Sequence, residues 1–178
     1  MQTKLLRTKT GRLSASAMCL ALCLVLPFLT GQIPQIGSAL CPMHLPVLLA
    51  GFLCGPWWAM LVGVTAPLLR HLLFAMPPLT TAIAMSVELA GYGMVCGLLY
   101  RKAQRNITGI YLALIPAMIA GRVLWGIAMV VITGITGASF GWAVFLAGAF
   151  TGAIPGIVLQ LILIPVLVNA LTRAGYLE

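Results

Sequence analysis

Long apolar runs, interrupted at a few points by proline, glycine and short polar groups, set the pattern of this chain. The runs predict six helices. The first covers about residues 12–30 and is followed by the loop TGQIPQIGSAL. The second, at about 43–54, and the third, at about 57–73, are split only by Gly55-Pro56. After AMPPLTT comes a fourth at about 81–100, then the polar RKAQRN, a fifth at about 109–133, the loop GITGASFG, and a sixth at about 142–171. A spanning helix needs about 20 apolar residues. The second run is too short for that, so it is tilted, re-entrant or lengthened by loop residues.

Composition turns this pattern into a statement about solvent. Of the 178 residues, 62% are hydrophobic and only 7% are charged, where a soluble domain carries about 25% charge. So little charge does not cover a water-facing surface. A transmembrane barrel would show alternating segments of about ten residues, and the runs here are unbroken. The prediction is an all-α integral membrane protein: a bundle of six transmembrane helices with a short second helix. Residues 1–178 form one membrane domain, with no internal boundary and no repeat.

The formal net charge of +8 would suggest nucleic acid in a soluble protein. Here no basic-aromatic interleaving supports such a partner. Most of the cations lie beside apolar segments: Lys4, Arg7, Lys9, Arg12, Arg101, Lys102, Arg105 and Arg173. With an even helix count all of these face one side, and the opposite loops hold no Lys or Arg. By the positive-inside rule both termini are cytoplasmic, and residues 1–11 form a basic cytoplasmic segment. The start KLLRTKTGR followed by LSASAMCLALCLVLPF resembles a signal peptide, but no convincing small-x-small cleavage site follows and the next segments are also apolar, so it reads as a retained helix.

The five cysteines form no CxxC pair and read as small buried hydrophobes. His44 and His71 are expected near the outer membrane face. With Cys41 they have no metal-site spacing, so no metal and no cofactor is expected. No GxxxxGK[ST] phosphate loop is present, and no acid–base or nucleophile cluster marks an enzyme. Glycines four apart, at Gly51 and Gly55, Gly93 and Gly97, and Gly148, Gly152 and Gly156, suggest close helix packing, as do Ala17 and Ala21 on the first helix.

Outside the loops, Arg70, Glu88 and Arg122 lie within apolar runs, where each charge is costly and marks a functional hypothesis. With a rise of about 1.5 Å per residue, Arg70 lies roughly 5 Å, Glu88 about 10 Å and Arg122 about 16 Å below the outer ends of their helices. One reading is a structural ion pair between Glu88 and an arginine. The other is a pocket open to the outside, whose summed charge of +1 is completed by an anionic ligand. Tyr92, one turn below Glu88, and Trp125, three residues above Arg122, would line it, with Met85 and Met129 as adaptable wall.

The segments PMHLPVLLAGFLCGP, GVTAPLLRHLLFAMPPL, SVELAGYGMVCGLLYRK and YLALIPAMIAGRVLWG, in this order and spacing, resemble the substrate-binding S components of energy-coupling factor vitamin transporters over about residues 14–171. The resemblance implies six helices, both termini inside, and a vitamin pocket in the outer half. The loop TGQIPQIGSAL would then belong to its lid. It also implies a membrane T component docked on the face of Ala17 and Ala21, two ABC ATPases behind it, and delivery by toppling of the whole subunit in the lipid bilayer. His44, Arg70, Glu88, Tyr92, Trp125 and Arg122 are the expected substrate contacts. The motif around His44 is similar to the pantothenate subgroup. Another vitamin or precursor (riboflavin, niacin, folate, a cobalamin or queuosine precursor) is the alternative, as is a stand-alone carrier using Glu88 as a proton relay, or a scaffold that binds no small molecule.

Overall fold

The computed structural model describes residues 8–29, 39–104, 106–137, 141–149 and 151–176. Lys4, Arg7 and Arg105 of the basic clusters, and residues 30–38 of the expected lid, lie outside the described residues. Among the described residues the regular structure is helical throughout: α1 (Lys9–Leu29), α2 (His44–Cys54), α3 (Pro56–Phe74), α4 (Leu79–Lys102), α5 (Ile107–Thr136), α6 (Trp142–Ala149) and α7 (Ile154–Arg173). Five segments are long and apolar enough to cross a membrane: α1, α3, α4, α5 and the stretch Phe145–Arg173. α2 is the shorter apolar helix that the proline-flanked run predicts.

The breaks follow from local chemistry. α2 and α3 are joined by Gly55 alone, at φ 90° and ψ 177°, a conformation open to glycine and closed to other residues. Pro56 then opens α3, where its missing N–H costs nothing. Asn106 caps α5 by accepting a 2.7 Å hydrogen bond from the Gly109 N–H. Gly137, at φ 74°, closes the same helix.

The expected continuous sixth helix is not continuous. α6 ends at Ala149, Thr151–Ala153 form a turn of 3₁₀-helix, and α7 starts at Ile154. Pro155 has no N–H with which to continue a helical ladder from the preceding turn, and its fixed φ suits the first turn of a new helix instead.

α4 lies at the centre. Over its most apolar window 56% of the residues are buried, against 33% or fewer in each of the other four candidate spans. α3 and α5 flank it and α2 packs across it. Glycines let the backbones approach. A Cβ on Gly63 would lie 2.5 Å from the Leu89 carbonyl, one on Gly93 2.7 Å from that of Ala59, and one on Gly97 2.5 Å from the Pro56 nitrogen. These three positions hold α3 and α4 in direct backbone contact. The apolar core runs from Val47, Leu48 and Phe52 of α2 through Leu89, Tyr92, Cys96 and Tyr100 of α4 to Leu114 and Ala117 of α5.

Candidate functional site

The site is built where α2 begins. Cys41 takes a left-handed backbone conformation at φ 48°, and its carbonyl accepts a 3.0 Å hydrogen bond from the His44 N–H. This tight turn drops His44 into the core directly over α4. Glu88 lies nine residues into α4, about 14 Å along its axis. Gly121, immediately before Arg122 on α5, lets α5 close onto that face. A Cβ there would run into the Tyr92 ring and lie 3.0 Å from the Glu88 carbonyl oxygen.

Glu88 Oε1 accepts from Arg122 Nη1 at 2.9 Å and faces His44 Nε2 at 3.2 Å. With Glu88 facing Nε2 as an acceptor, the neutral imidazole carries its proton there and leaves Nδ1 as an acceptor. The imidazole also meets the Tyr92 ring edge-to-face, with centroids 5.0 Å apart. On its other side the guanidinium reaches Cys41, with Nη2 3.5 Å from Sγ. The four side chains His44, Glu88, Tyr92 and Arg122 are between 0% and 5% exposed. At that burial each polar atom needs a partner. His44 Nδ1, the Tyr92 hydroxyl and Arg122 Nε have no hydrogen-bond partner among the described residues.

Of the six residues expected to touch substrate, the structure brings together His44, Glu88, Tyr92 and Arg122. His44 is buried in the cluster, 3.2 Å from Glu88, at the start of the short α2. Arg70 is not part of the cluster. It is buried between α1 and α3, donating a 2.7 Å hydrogen bond to the Leu24 carbonyl. Its guanidinium carbon lies 5.1 and 5.4 Å from the ring centroids of Phe28 and Phe74. The partners it found, a helix carbonyl and two aromatic faces, carry no sequence spacing that foretells them. With Arg70 elsewhere, the charge of the cluster is zero with a neutral imidazole, not the expected +1. Trp125 stacks on Phe145 of α6 at 6.2 Å, and Gly148 leaves room for its indole. It is one turn from Arg122 and forms a wall toward α6. Met85 packs against the core.

Sequence reasoning gave Cys41 no role beyond a small hydrophobe. Its signal was faint, a cysteine at the edge of a run between Leu40 and Pro42. His71, the other expected histidine, bonds through Nδ1 with the Pro77 carbonyl at 2.8 Å, in the α3–α4 connection.

Fold and site together describe a multi-pass helical membrane protein with a compact polar cluster enclosed in its core. The model of the family "ECF transporter, substrate-specific component" matches residues 12–168. The chain belongs to that family, a family of substrate-specific transporter subunits for vitamin-type solutes. No curated protein and no solved structure matches it significantly.

Proposed function

We propose that this chain captures a small vitamin or vitamin precursor from outside the cell at the His44–Glu88–Tyr92–Arg122 cluster, with pantothenate the first candidate. The observation that carries the reading is the convergence of these four side chains, with unpartnered polar atoms, inside a chain of this family. A purely structural ion pair does not need a tyrosine hydroxyl and an imidazole nitrogen left over beside it. Trp125 and Met85 supply apolar wall. Arg70, committed to the junction of α1 with α3, is not among the contacts. Pantothenate rests on the resemblance of the segment around His44.

Both termini are cytoplasmic in this reading, which the one-sided placement of Lys9, Arg12, Arg101, Lys102 and Arg173 supports. The cluster then lies toward the outer half. Delivery proceeds by toppling, with a T component docked on the α1 face of Ala17 and Ala21 and two ATPases supplying energy.

A thermal-shift screen of the detergent-solubilised chain against a panel of vitamins tests the capture step. A ligand at 100 times its Kd stabilises the folded state by about 2.7 kcal/mol, so one compound is expected to raise Tm by several degrees. Uptake by proteoliposomes is expected only with the T component, both ATPases and ATP. Uptake by the chain alone would instead favour a stand-alone carrier.

A further inference from the structure

We propose that the ligand presents a carboxylate to the Nε–Nη2 edge of Arg122 and displaces the Cys41 thiol from it; this rests on the function proposed above. A guanidinium offers paired N–H groups along one side, Nε with Nη2, and across its end, Nη1 with Nη2, and they are not used equally here. Nη1 is spent on Glu88. Nε and Nη2 lie on the same side of the guanidinium plane's long axis, where their N–H bonds run parallel and match the spacing of two carboxylate oxygens. On that edge Nε has no hydrogen-bond partner among the described residues, and Nη2 meets only the Cys41 sulfur at 3.5 Å. Sulfur is a weak acceptor. A fork buried to this depth and held by so poor an acceptor is set for a better one.

Neighbouring atoms fit the same occupant. The Tyr92 hydroxyl, fully buried beside the cluster, donates to no acceptor among the described residues and is a further donor for the same occupant. His44 Nδ1 is likewise unpartnered. As the acceptor that the Glu88 contact leaves it, Nδ1 can take a hydrogen bond from a hydroxyl or amide N–H elsewhere on the ligand. Glu88 stays on Nη1 throughout, so the guanidinium is shared between an internal and an incoming carboxylate without losing its anchor. Cys41 lies in the turn that leads into α2. Displacing its sulfur therefore requires the Cys41 side chain to rotate or the turn to shift.

The test compares acids with neutral counterparts on the wild-type chain: pantothenate with panthenol, nicotinate with nicotinamide, biotin with biotinamide and lipoate with lipoamide. Binding is read by calorimetry. One acid is expected to bind on the order of 100-fold more tightly than its counterpart, the loss expected when charge-assisted hydrogen bonds go unmade. In Arg122→Lys, which keeps the charge but not the fork, that preference is expected to collapse to a few-fold, while gel filtration confirms an intact fold. An acid and its counterpart binding equally, or a neutral vitamin alone binding, overturns this assignment and leaves the vitamin-capture reading standing. A panel in which nothing binds overturns both. Should the lysine variant fail to fold, the acid–neutral comparison on the wild type decides alone.

Discussion

Glu88 is one of only two acidic side chains in 178 residues, and it is 2% exposed. Rarity made it and Arg122 visible, since charges in apolar runs are expensive and few. The same criterion picked out Arg70, and it had no means of telling the three apart. What separates them is the partner each meets in space. Arg122 found a carboxylate; Arg70 found the Leu24 carbonyl and two phenyl rings. His44 was legible as a candidate but its depth was not, because depth depends on where the short α2 starts. Removing one member of a buried pair leaves the other uncompensated, at a cost of about 3–5 kcal/mol. Glu88→Gln is therefore expected to lower Tm sharply in detergent, and a Glu88→Gln, Arg122→Gln double variant to recover a good part of the loss. A double variant no better than the single would show that the pair is not the source of the cost. Gln160 is another buried polar residue, away from the cluster, and neither its Nε2 nor its Oε1 has a partner among the described residues. Its leucine variant removes an unpaired amide of similar volume. Gln160→Leu is expected to hold or raise Tm, by up to about 1–3 kcal/mol in stability, and a clear drop would reveal a partner.

At the scale of elements, helix existence was legible from the apolar runs almost throughout, and helix continuity was not. The glycine patterns show why. Gly93 and Gly97 form a real seam, against Ala59 and Pro56 of α3. Gly55, paired with Gly51 by spacing, has open space where a Cβ would go and serves instead as the positive-φ link between α2 and α3. The Gly148, Gly152 and Gly156 series crosses the break between α6 and α7, so its members face different neighbours: the Trp125 indole, the Ala147 carbonyl, and the backbone of Ala39 and Leu40. Gly63 and Gly121, each without a partner at spacing four among the glycines, turned out to be close-approach positions. Gly121→Ala is expected to cost about 1–3 kcal/mol from overpacking and to weaken ligand binding with it, because the added methyl pushes Tyr92 and separates Arg122 from Glu88. Alanine at Gly134, which has open space, is the matched control and is expected to do neither. Prolines inside helices show the same dependence on context. Pro165 removes the N–H that would bond the Leu161 carbonyl, and the Tyr111 hydroxyl of α5 donates to that carbonyl at 3.2 Å. Tyr111→Phe is expected to cost about 0.6 kcal/mol, the usual worth of one hydrogen bond between membrane helices, read as a small loss in Tm.

The whole molecule presents an apolar exterior, and on α1 that exterior has a particular grain. Ala17 and Ala21 are exposed on one face, bordered by Met18, Leu22 and Val25, while Cys19, Cys23 and Pro27 turn inward. Small residues four apart let another helix approach closely where lipid gives no hydrophobic drive for association. The ligand cluster draws on α2, α4 and α5, and α1 contributes none of its four buried side chains. In the proposed function, capture and docking therefore use separate parts of one subunit and are expected to be separable. Ala17→Leu and Ala21→Leu each add a side chain to the docking face without touching His44, Glu88, Tyr92 or Arg122. Both are expected to leave the affinity of the isolated chain for its vitamin within about two-fold, since substitutions away from buried features change free energies by only about 0.5 kcal/mol. Both are also expected to lower ATP-dependent uptake in proteoliposomes by ten-fold or more, about 1.4 kcal/mol of lost association at limiting T component. The measurement pairs calorimetry on the purified chain with uptake by the reconstituted complex, using the same preparation of each variant. If uptake survives both substitutions, the T component docks elsewhere. If affinity falls along with uptake, α1 and the ligand cluster are one mechanical unit, and the separation of capture from docking is wrong.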